Sequence, residues 1–416
     1  MLPFCANFCN RGSWLGSLWP PRGVWTFFEI WVSPLRIVLG NSSLIKYLPG
    51  GGLWSWFLQY PLGLKALGHD VLWLELLQSS GHRETNLQTI RDFFERLALY
   101  DLDRNCAVLL SRDLDHQLFE EAEIFGAERQ DLLRSIRTAD LLLNFACALR
   151  KPLLSLFKRS ALLDGDPGHL QVSALDYLGI QDHDVLLTVG TRINAPDSLI
   201  PKLGREWHTY DQIIYLPMWQ IQPDPGREAP FTSVTQWTWE ELHFEGKVLS
   251  VSKREAYLRY AHLPRLTNRP LELAANIGDA DPAGDRTTLL QNGWRIVDPH
   301  QVAFSVDQYR EYIRSSRGEF MCPKPIHVQL KTGWFSDRSI AYLASGRPVV
   351  AEETGFSERI PTGVGLLSFR DIAEAAAGIA EIDANYQRHS RAAREIAEAF
   401  FDTRKCLETL LSACEP

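Results

Sequence analysis

Short apolar runs and amphipathic segments alternate along most of this chain. Mainly apolar runs at 36–40, 71–75 and 139–145 are typical of strands that are buried on both faces. Between them, apolar positions recur at helical spacing over 53–67 and 87–99. Strands that alternate with helices in this way predict an α/β fold with a doubly wound parallel sheet.

The same alternation resumes in the second half of the chain. Strands are predicted at 270–277 and 294–299, and the helix over 305–315 begins at Ser305, a favourable N-cap residue. The stretch 215–245 is rich in proline and tryptophan and has no clear periodicity. Such a stretch predicts a linker that crosses between two domains.

Residues 1–35 differ from the rest of the chain. They are rich in tryptophan, proline and phenylalanine and almost free of acidic residues. Arg11, Arg22 and Glu29 leave no apolar run long enough to span a bilayer. We therefore interpret 1–35 as an extension outside the domains, with a peripheral membrane anchor as the alternative.

Length and charge narrow the classes of function. The chain has 416 residues, 45% of them hydrophobic, and a formal net charge of -8 at pH 7, which suits roughly two to three globular domains. The acidic balance argues against a nucleic-acid partner, so local groups must hold any anionic ligand. Seven scattered cysteines without metal-ligand spacing favour a reduced, cytoplasmic setting.

The segment 332–358 carries the clearest local pattern for binding an anion. Ser336 is a favourable N-cap, 337–339 form the first helical turn, and Arg338 adds a cation there. The free N–H groups of such a helix start favour a phosphate. A buried strand at 348–351 then leads into a polar turn at its carboxyl end, where ligands of α/β sheets bind. One further βαβ unit without a ligand is the alternative interpretation.

The same segment resembles the donor-binding region of GT-B glycosyltransferases of the bacterial group 1 type. The resemblance covers most of the chain from residue 36 and is strongest over 318–368. Gly333 and Ala341 stand where the large retaining group of these enzymes has paired glutamates, so the stereochemical outcome stays open. The matching positions are Ala344, Gly346, Pro348, Val349, Val350, Gly355, Glu358, Gly365, Leu366 and Leu367.

This resemblance implies two Rossmann-like doubly wound domains that face each other across a cleft. Residues 36–230 would form the acceptor domain and 231–390 the nucleotide-sugar donor domain. A C-terminal helix within 391–416 would cross back to the first domain. A loop after the first predicted strand would line the cleft, although a flexible surface turn is the alternative for it. Its three glycines are Gly50, Gly51 and Gly52.

The implied activity is transfer of a hexosyl group from a nucleotide-diphosphate sugar to an acceptor hydroxyl, without a metal or another cofactor. Tryptophans within 215–245 would offer flat faces to a sugar ring near the cleft. Loss of Arg338 is expected to weaken donor binding much more than it lowers thermal stability. The residues expected to bind the donor are Lys324, Ser336, Asp337, Arg338, Ser339, Thr354, Gly355, Phe356 and Glu358.

An inverting transferase must also remove a proton from the acceptor hydroxyl, which needs a base within reach. The first domain offers Asp166, His169 and His183 as candidates, and spacing singles out none of them. Asp164 and Asp166 form a D-x-D pair that could hold a divalent cation. Because this pair is common, a tight turn or an acceptor-side role is the preferred interpretation.

Two other functions stay open at this stage. An isomerase of the UDP-GlcNAc 2-epimerase type would share the architecture, and it would require carboxylates and histidines clustered in the cleft. A non-catalytic nucleotide-sugar-binding protein would require neither a base nor an acceptor. No nucleic-acid partner and no integral membrane segment are predicted, whereas peripheral membrane contact stays open.

Overall fold

The computed structural model describes residues 34–173, 179–278 and 281–415. The predicted N-terminal extension, 1–35, therefore lies almost entirely outside the described residues. No helix of the described residues combines the length and the apolar character that crossing a bilayer would require.

The described part of the first domain contains eight strands and four helices. Its strands are β1 (Arg36–Asn41), β2 (Asp70–Gln78), β3 (Cys106–Ser111), β4 (Glu123–Phe125), β5 (Leu141–Phe145), β6 (Ser160–Asp164), β7 (Val185–Thr188) and β8 (His208–Thr209). Its helices are α1 (Gly51–Ala66), α2 (Arg83–Ala98), α3 (Arg129–Thr138) and α4 (His169–Ser173). The strands lie in the order β4-β3-β2-β1-β5-β6-β7-β8, and all neighbours are parallel except β3 and β4.

The second domain has a six-stranded sheet and a separate hairpin. The strands are β9 (Phe231–Thr235), β10 (Glu241–Phe244), β11 (Lys247–Ser250), β12 (Leu271–Ala275), β13 (Arg295–Val297), β14 (Gly318–Met321), β15 (Val349–Glu352) and β16 (Leu366–Phe369). Strands β10 and β11 form the hairpin, and the others form a parallel sheet in the order β13-β12-β9-β14-β15-β16.

Among the described residues, nine helices follow or separate these strands. Four of them lie between β11 and β14, and the fifth follows β14. They are α5 (Lys253–Arg259), α6 (Asp285–Gln291), α7 (Pro299–Val302), α8 (Val306–Ser315) and α9 (Pro325–Gln329). The remaining four are α10 (Asp337–Ala344), α11 (Ile372–Ala384), α12 (Tyr386–Phe400) and α13 (Thr403–Ala413). Ser305 caps α8 with a complete capping box, as its position in the sequence predicted.

Both sheets are Rossmann-like, as the alternating sequence pattern predicted. If the antiparallel edge strand β4 is set aside, each sheet places its first six parallel strands in the order 3-2-1-4-5-6. The order reverses between β1 and β5 in the first sheet and between β9 and β14 in the second. Ligands of such sheets bind at the carboxyl ends of the strands beside this reversal. The fold therefore provides two candidate binding edges.

The predicted linker over 215–245 is wrong in part, because it contains β9, an inner strand of the second sheet. Thr232 and Ser233 are 1% exposed, so this strand buries hydroxyl groups and shows no apolar run from which it could have been predicted. The hydroxyl of Thr232 shares a hydrogen bond with that of Tyr342, 2.6 Å away, and Ser233 pairs with Tyr257. Buried hydroxyls are tolerated when they are paired in this way.

The C-terminal segment packs on the first domain. Helix α13 lies against α1 at Gly63, where an added Cβ would come within 2.9 Å of side-chain atoms of Thr403 and Leu407. The main-chain N–H of Ile214 donates to the carbonyl of Phe401 over 2.8 Å. The end of the chain thus ties the second domain to the first.

Candidate active site

A cavity of about 820 Å³ lies between the carboxyl ends of the two sheets. Its wall contains residues from both reversal points of strand order. The first domain contributes the loop after β1 and the ends of β5 and β6. The second domain contributes the ends of β9 and β12, Lys324 after β14 and the start of α10. The position agrees with the general location of ligands in α/β sheets.

The start of α10 forms one side of this cavity. Ser336, 1% exposed, accepts a hydrogen bond from the N–H of Arg338 over 3.2 Å and so acts as the predicted N-cap. Asp337 also lines the cavity, and burial raises the pKa of its carboxyl. The N-terminal end of a helix carries a partial positive charge, so this wall favours an anion.

Arg338 is fixed to the same wall by two contacts. Its Nε donates to Oε1 of Glu319 over 2.6 Å, and its Nη1 donates to the carbonyl of Val234 over 2.7 Å. Glu319 is fully buried, and the Nη2 of Arg338 has no hydrogen-bond partner among the described residues. Although burial opposes its charge, the carboxylate of Glu319 keeps the pKa of Arg338 raised. The cavity wall therefore carries a permanent guanidinium with one N–H₂ group unused.

Lys253 is a third cation of the site, and it was not predicted. It begins α5, and its Nζ lies 5.8 Å from the ring centroid of Trp334, which also lines the cavity. Burial, together with the charges of Arg338 and Lys324, lowers the pKa of Lys253 to about 7. An anion bound in the cavity would restore its full charge.

The sequence contains one local feature that indicates a role for Lys253, its place in the first turn of a short helix. It follows Ser252, which precedes the first residue of this helix, and Arg338 likewise lies in the first turn of a helix that a serine caps. Packing of α5 against α9, the helix that Lys324 precedes, brings Lys253 toward Lys324.

Lys324 and Asp166 connect the two domains across the cavity. The ammonium of Lys324 forms an ion pair with the Asp166 carboxylate, which also lies 3.1 Å from Nδ1 of His169 and 3.2 Å from Nε2 of His327. Burial alone would raise the pKa of Asp166, but these three neighbours together hold it well below its usual range. Such a carboxylate is a weak proton acceptor, so Asp166 is a poor candidate for the base.

His169 is the better placed of the predicted base candidates. Its Nδ1 faces Asp166, and its Nε2 lies 3.0 Å from Oε1 of Glu240, whose side chain is 56% exposed. Burial lowers the pKa of His169, but the two carboxylates outweigh that effect and raise it. Because Glu240 is exposed and can turn away, Nε2 can become available to a bound hydroxyl.

The D-x-D pair is held by protein groups. Asp164 accepts hydrogen bonds of 2.7 Å from both the Thr188 hydroxyl and the Gln171 amide. Burial raises its pKa to about 6. The described residues contain no group of three histidine, cysteine, aspartate or glutamate side chains arranged to hold a metal, and metal-independent transfer remains a prediction.

His183 was predicted as a possible base, and the structure contradicts that prediction. The residue is 3% exposed and does not line the cavity. Its Nε2 lies 2.8 Å from the amide nitrogen of Asn144, and its Nδ1 lies 3.0 Å from the carbonyl of Gly179. Burial lowers its pKa. His183 is thus a core residue with satisfied ring nitrogens.

Three predicted donor-binding residues are instead part of the core. Thr354 is 2% exposed and donates its hydroxyl to the carbonyl of Trp334 over 2.6 Å. Phe356 is fully buried, with its ring centroid 5.0 Å from that of Phe335. Ser339 is fully buried within α10, and none of the three lines the cavity.

The two remaining predicted residues of the turn after β15 contact the first domain. Glu358 forms an ion pair with Arg192, which also pairs with Asp197. A Cβ added to Gly355 would lie 2.2 Å from Cδ of Arg192. Because this arginine occupies the space in front of the turn, Gly355 and Glu358 do not reach the cavity.

The glycine loop lines the cavity and also touches the second domain. The N–H of Gly51 donates to the carbonyl of Ala303 over 2.8 Å, and a Cβ added there would lie 2.3 Å from the carbonyl oxygen of Ser305. Gly50 and Gly52 line the cavity as well. Glycine is thus required at position 51 because the two domains meet backbone to backbone.

Comparison with known proteins identifies relatives by structure only. No protein-family model and no curated protein matches the sequence. An alpha-glucosyltransferase in complex with UDP-glucose and DNA containing an abasic site aligns with a TM-score of 0.57 and 13% identity, over 91% of this chain and 99% of that one. Anabaena Alr3699/HepE in complex with UDP and glucose aligns with a TM-score of 0.55 and 13% identity, over 91% and 98%.

A third solved structure, of AviGT4, a glycosyltransferase involved in avilamycin A biosynthesis, has a TM-score of 0.52 and 13% identity, over 91% of this chain and 97% of that one. Identities this low show the fold alone. The chain has the GT-B fold, with two Rossmann-like domains, as its sequence predicted.

Proposed function

We propose that this protein transfers a sugar from a nucleotide-diphosphate sugar to an acceptor hydroxyl. The observation that carries the proposal is the concentration of positive charge on one wall of the interdomain cavity. Lys253, Lys324, Arg338 and the start of α10 all lie on this wall. The solved structures of similar fold that hold UDP or UDP-glucose support the same ligand class.

The chemistry explains why such a wall is useful. In the transfer, a bond forms between the acceptor oxygen and the anomeric carbon, and the bond from that carbon to the phosphate oxygen breaks. The departing diphosphate gains negative charge, which fixed N–H groups and cations stabilise. The acceptor hydroxyl loses a proton, and we assign its removal to His169, which lines the cavity. We assign no role in this step to a metal.

The cationic wall of the cavity also indicates which domain binds which substrate. We assign the donor to 231–390 and the acceptor to 36–230, with 391–416 joining the two. The five cysteines of the described residues are all free and buried, which supports the cytoplasm as the place of action. The alpha-glucosyltransferase of similar fold is in complex with DNA. We propose that this chain does not bind a nucleic acid, and the acceptor panel described below therefore includes DNA.

A second candidate function is favoured by one observation. The cavity holds a cluster of acid and base groups, Asp164, Asp166 and His169, close to His327. An epimerase of the UDP-GlcNAc type would require such groups. A non-catalytic binder has no comparable observation in its favour.

Nucleoside diphosphate release separates these functions. We expect the protein to release UDP, GDP or dTDP from one class of nucleotide sugar, with release stimulated by a hydroxyl acceptor and unchanged by a chelator. The assay follows release by a coupled enzyme and the sugar product by chromatography. A new sugar isomer without release would instead show an epimerase. Binding with neither product would contradict both.

Proton uptake provides a test of the cationic wall. Since the pKa of Lys253 is about 7 in the empty cavity, most of this side chain is neutral at pH 8. A bound diphosphate stabilises the charged form, so UDP binding at pH 8 should take up as much as about one proton. UDP affinity should accordingly fall as pH rises above 7. Calorimetry in buffers of different ionisation enthalpy measures this uptake.

The matched variants are Lys253→Met and Lys247→Met, since Lys247 is an exposed lysine outside the cavity. Uptake should disappear in the first and persist in the second. Equal uptake in both would show that another group accounts for it.

A further inference from the structure

The two halves of the cavity differ in charge. Every lysine and arginine among the described lining residues belongs to the second domain. The first-domain half contributes the carboxylates Asp164 and Asp166, of which only Asp166 is paired with a lysine. The one histidine of the described lining residues in this half, His169, already faces the carboxylates of Asp166 and Glu240. A phosphate or carboxylate on a ligand in this half would therefore meet carboxylates and no lysine or arginine that is free to pair with it.

Aromatic rings border this half of the cavity. Tyr47 and Trp56 belong to the first domain, and Trp239 of the second domain precedes Glu240, whose carboxylate lies 3.0 Å from Nε2 of His169. Tyr47 is 54% exposed and Trp239 is 52% exposed, and both line the cavity. Trp56 lines it as well, with its Nε1 donating to the Gln212 amide oxygen over 3.3 Å. By contrast, Trp54 and Trp219 elsewhere in the chain are fully buried. Exposed rings that share a cavity with hydrogen-bonding groups are typical of a binding surface.

From this pairing of features we infer that the acceptor is an uncharged saccharide, held by Tyr47, Trp56 and Trp239 in the half of the cavity that lacks cations. This inference rests on the proposed transferase function and names its acceptor class. The C–H face of a sugar ring packs on a flat aromatic ring, while its hydroxyls find acceptors and donors in Asp164 and Gln212. A nucleic acid or an anionic sugar would place its negative charge beside these carboxylates.

An acceptor panel tests the inference. With the nucleotide sugar that the enzyme turns over, nucleoside diphosphate release is measured with octyl β-glucoside, octyl β-galactoside and octyl β-N-acetylglucosaminide. The anionic probes are octyl β-glucuronide and a single-stranded 13-mer DNA. We expect at least one neutral glycoside to stimulate release more than either anionic probe.

Variants of the aromatic residues test whether they contact the acceptor. Tyr47→Ala and Trp239→Ala should each raise the KM for the neutral glycoside about 3- to 10-fold, the range that a lost aromatic contact implies. The KM for the donor should stay unchanged, and Trp239→Phe should retain most of the acceptor affinity. Leu266→Ala, which truncates an exposed apolar residue outside the cavity, is the control.

The results distinguish failure of the proposed acceptor class from failure of the proposed transferase function. If the enzyme binds UDP and turns over a donor but prefers the glucuronide or the DNA, or responds to no neutral glycoside, the acceptor class is overturned and the transferase function stands. Unchanged KM values in both alanine variants would also overturn it. If neither UDP binding nor turnover is found, the proposed function itself fails.

Discussion

An Arg338→Met variant is expected to lose about 3 to 5 kcal/mol of unfolding free energy. The reason is Glu319, which is fully buried and whose Oε1 is 2.6 Å from the Nε of Arg338. Removal of the guanidinium leaves this carboxylate without the ion pair that it forms in the folded protein. The expectation from the sequence, that Arg338 matters for donor binding much more than for stability, is therefore corrected by the structure. Chemical denaturation monitored by tryptophan fluorescence measures the loss.

A double variant separates the structural role of Arg338 from its binding role. Arg338→Met combined with Glu319→Gln removes both charges, so much of the stability should return. UDP affinity should stay low, because the cation at the cavity wall is still absent. If the double variant recovers UDP affinity along with stability, Arg338 is a structural residue and contributes nothing to the ligand.

Lys253→Met is expected to act in the opposite way on stability. Its depressed pKa shows that the folded protein disfavours the charged ammonium, a cost that is present at and below pH 7 and disappears as pH rises toward the unfolded value. Methionine removes this cost, so the Tm at pH 7 should be equal to or higher than that of the natural protein. UDP affinity should nevertheless fall about 10- to 100-fold, as for loss of a charged hydrogen bond.

Thermal unfolding with and without UDP measures both effects in one experiment. UDP should raise the Tm of the natural protein and of Lys247→Met, and it should raise that of Lys253→Met far less. A marked fall in the Tm of Lys253→Met without UDP, together with an unchanged UDP shift, would show that this lysine supports the fold and does not hold the ligand.

The comparison of sequence with structure shows where local patterns are sufficient. Strand and helix alternation predicted both sheets, and the cap at Ser336 correctly placed the start of α10, because these features depend on neighbouring residues alone. Strand β9 was missed because its buried positions are hydroxyls, whose partners come from distant elements. Burial of a polar strand is invisible to a hydrophobic pattern.

The site itself depends on contacts between distant parts of the chain. The turn after β15 was expected to face the donor, but Arg192 from the first domain lies against Gly355 and pairs with Glu358. Lys253 joins the cavity because α5 packs against α9, the helix that Lys324 precedes. Neither fact follows from local spacing, since each depends on how the strands are ordered and how the two domains meet.

The most direct test of the account is a crystal structure of the protein with UDP. The account predicts the diphosphate in the interdomain cavity, within hydrogen-bond distance of the first N–H groups of α10 and of Lys253 or Arg338. It would be contradicted by a diphosphate bound elsewhere, or by UDP in the cavity with its phosphates turned to the first domain and away from the start of α10.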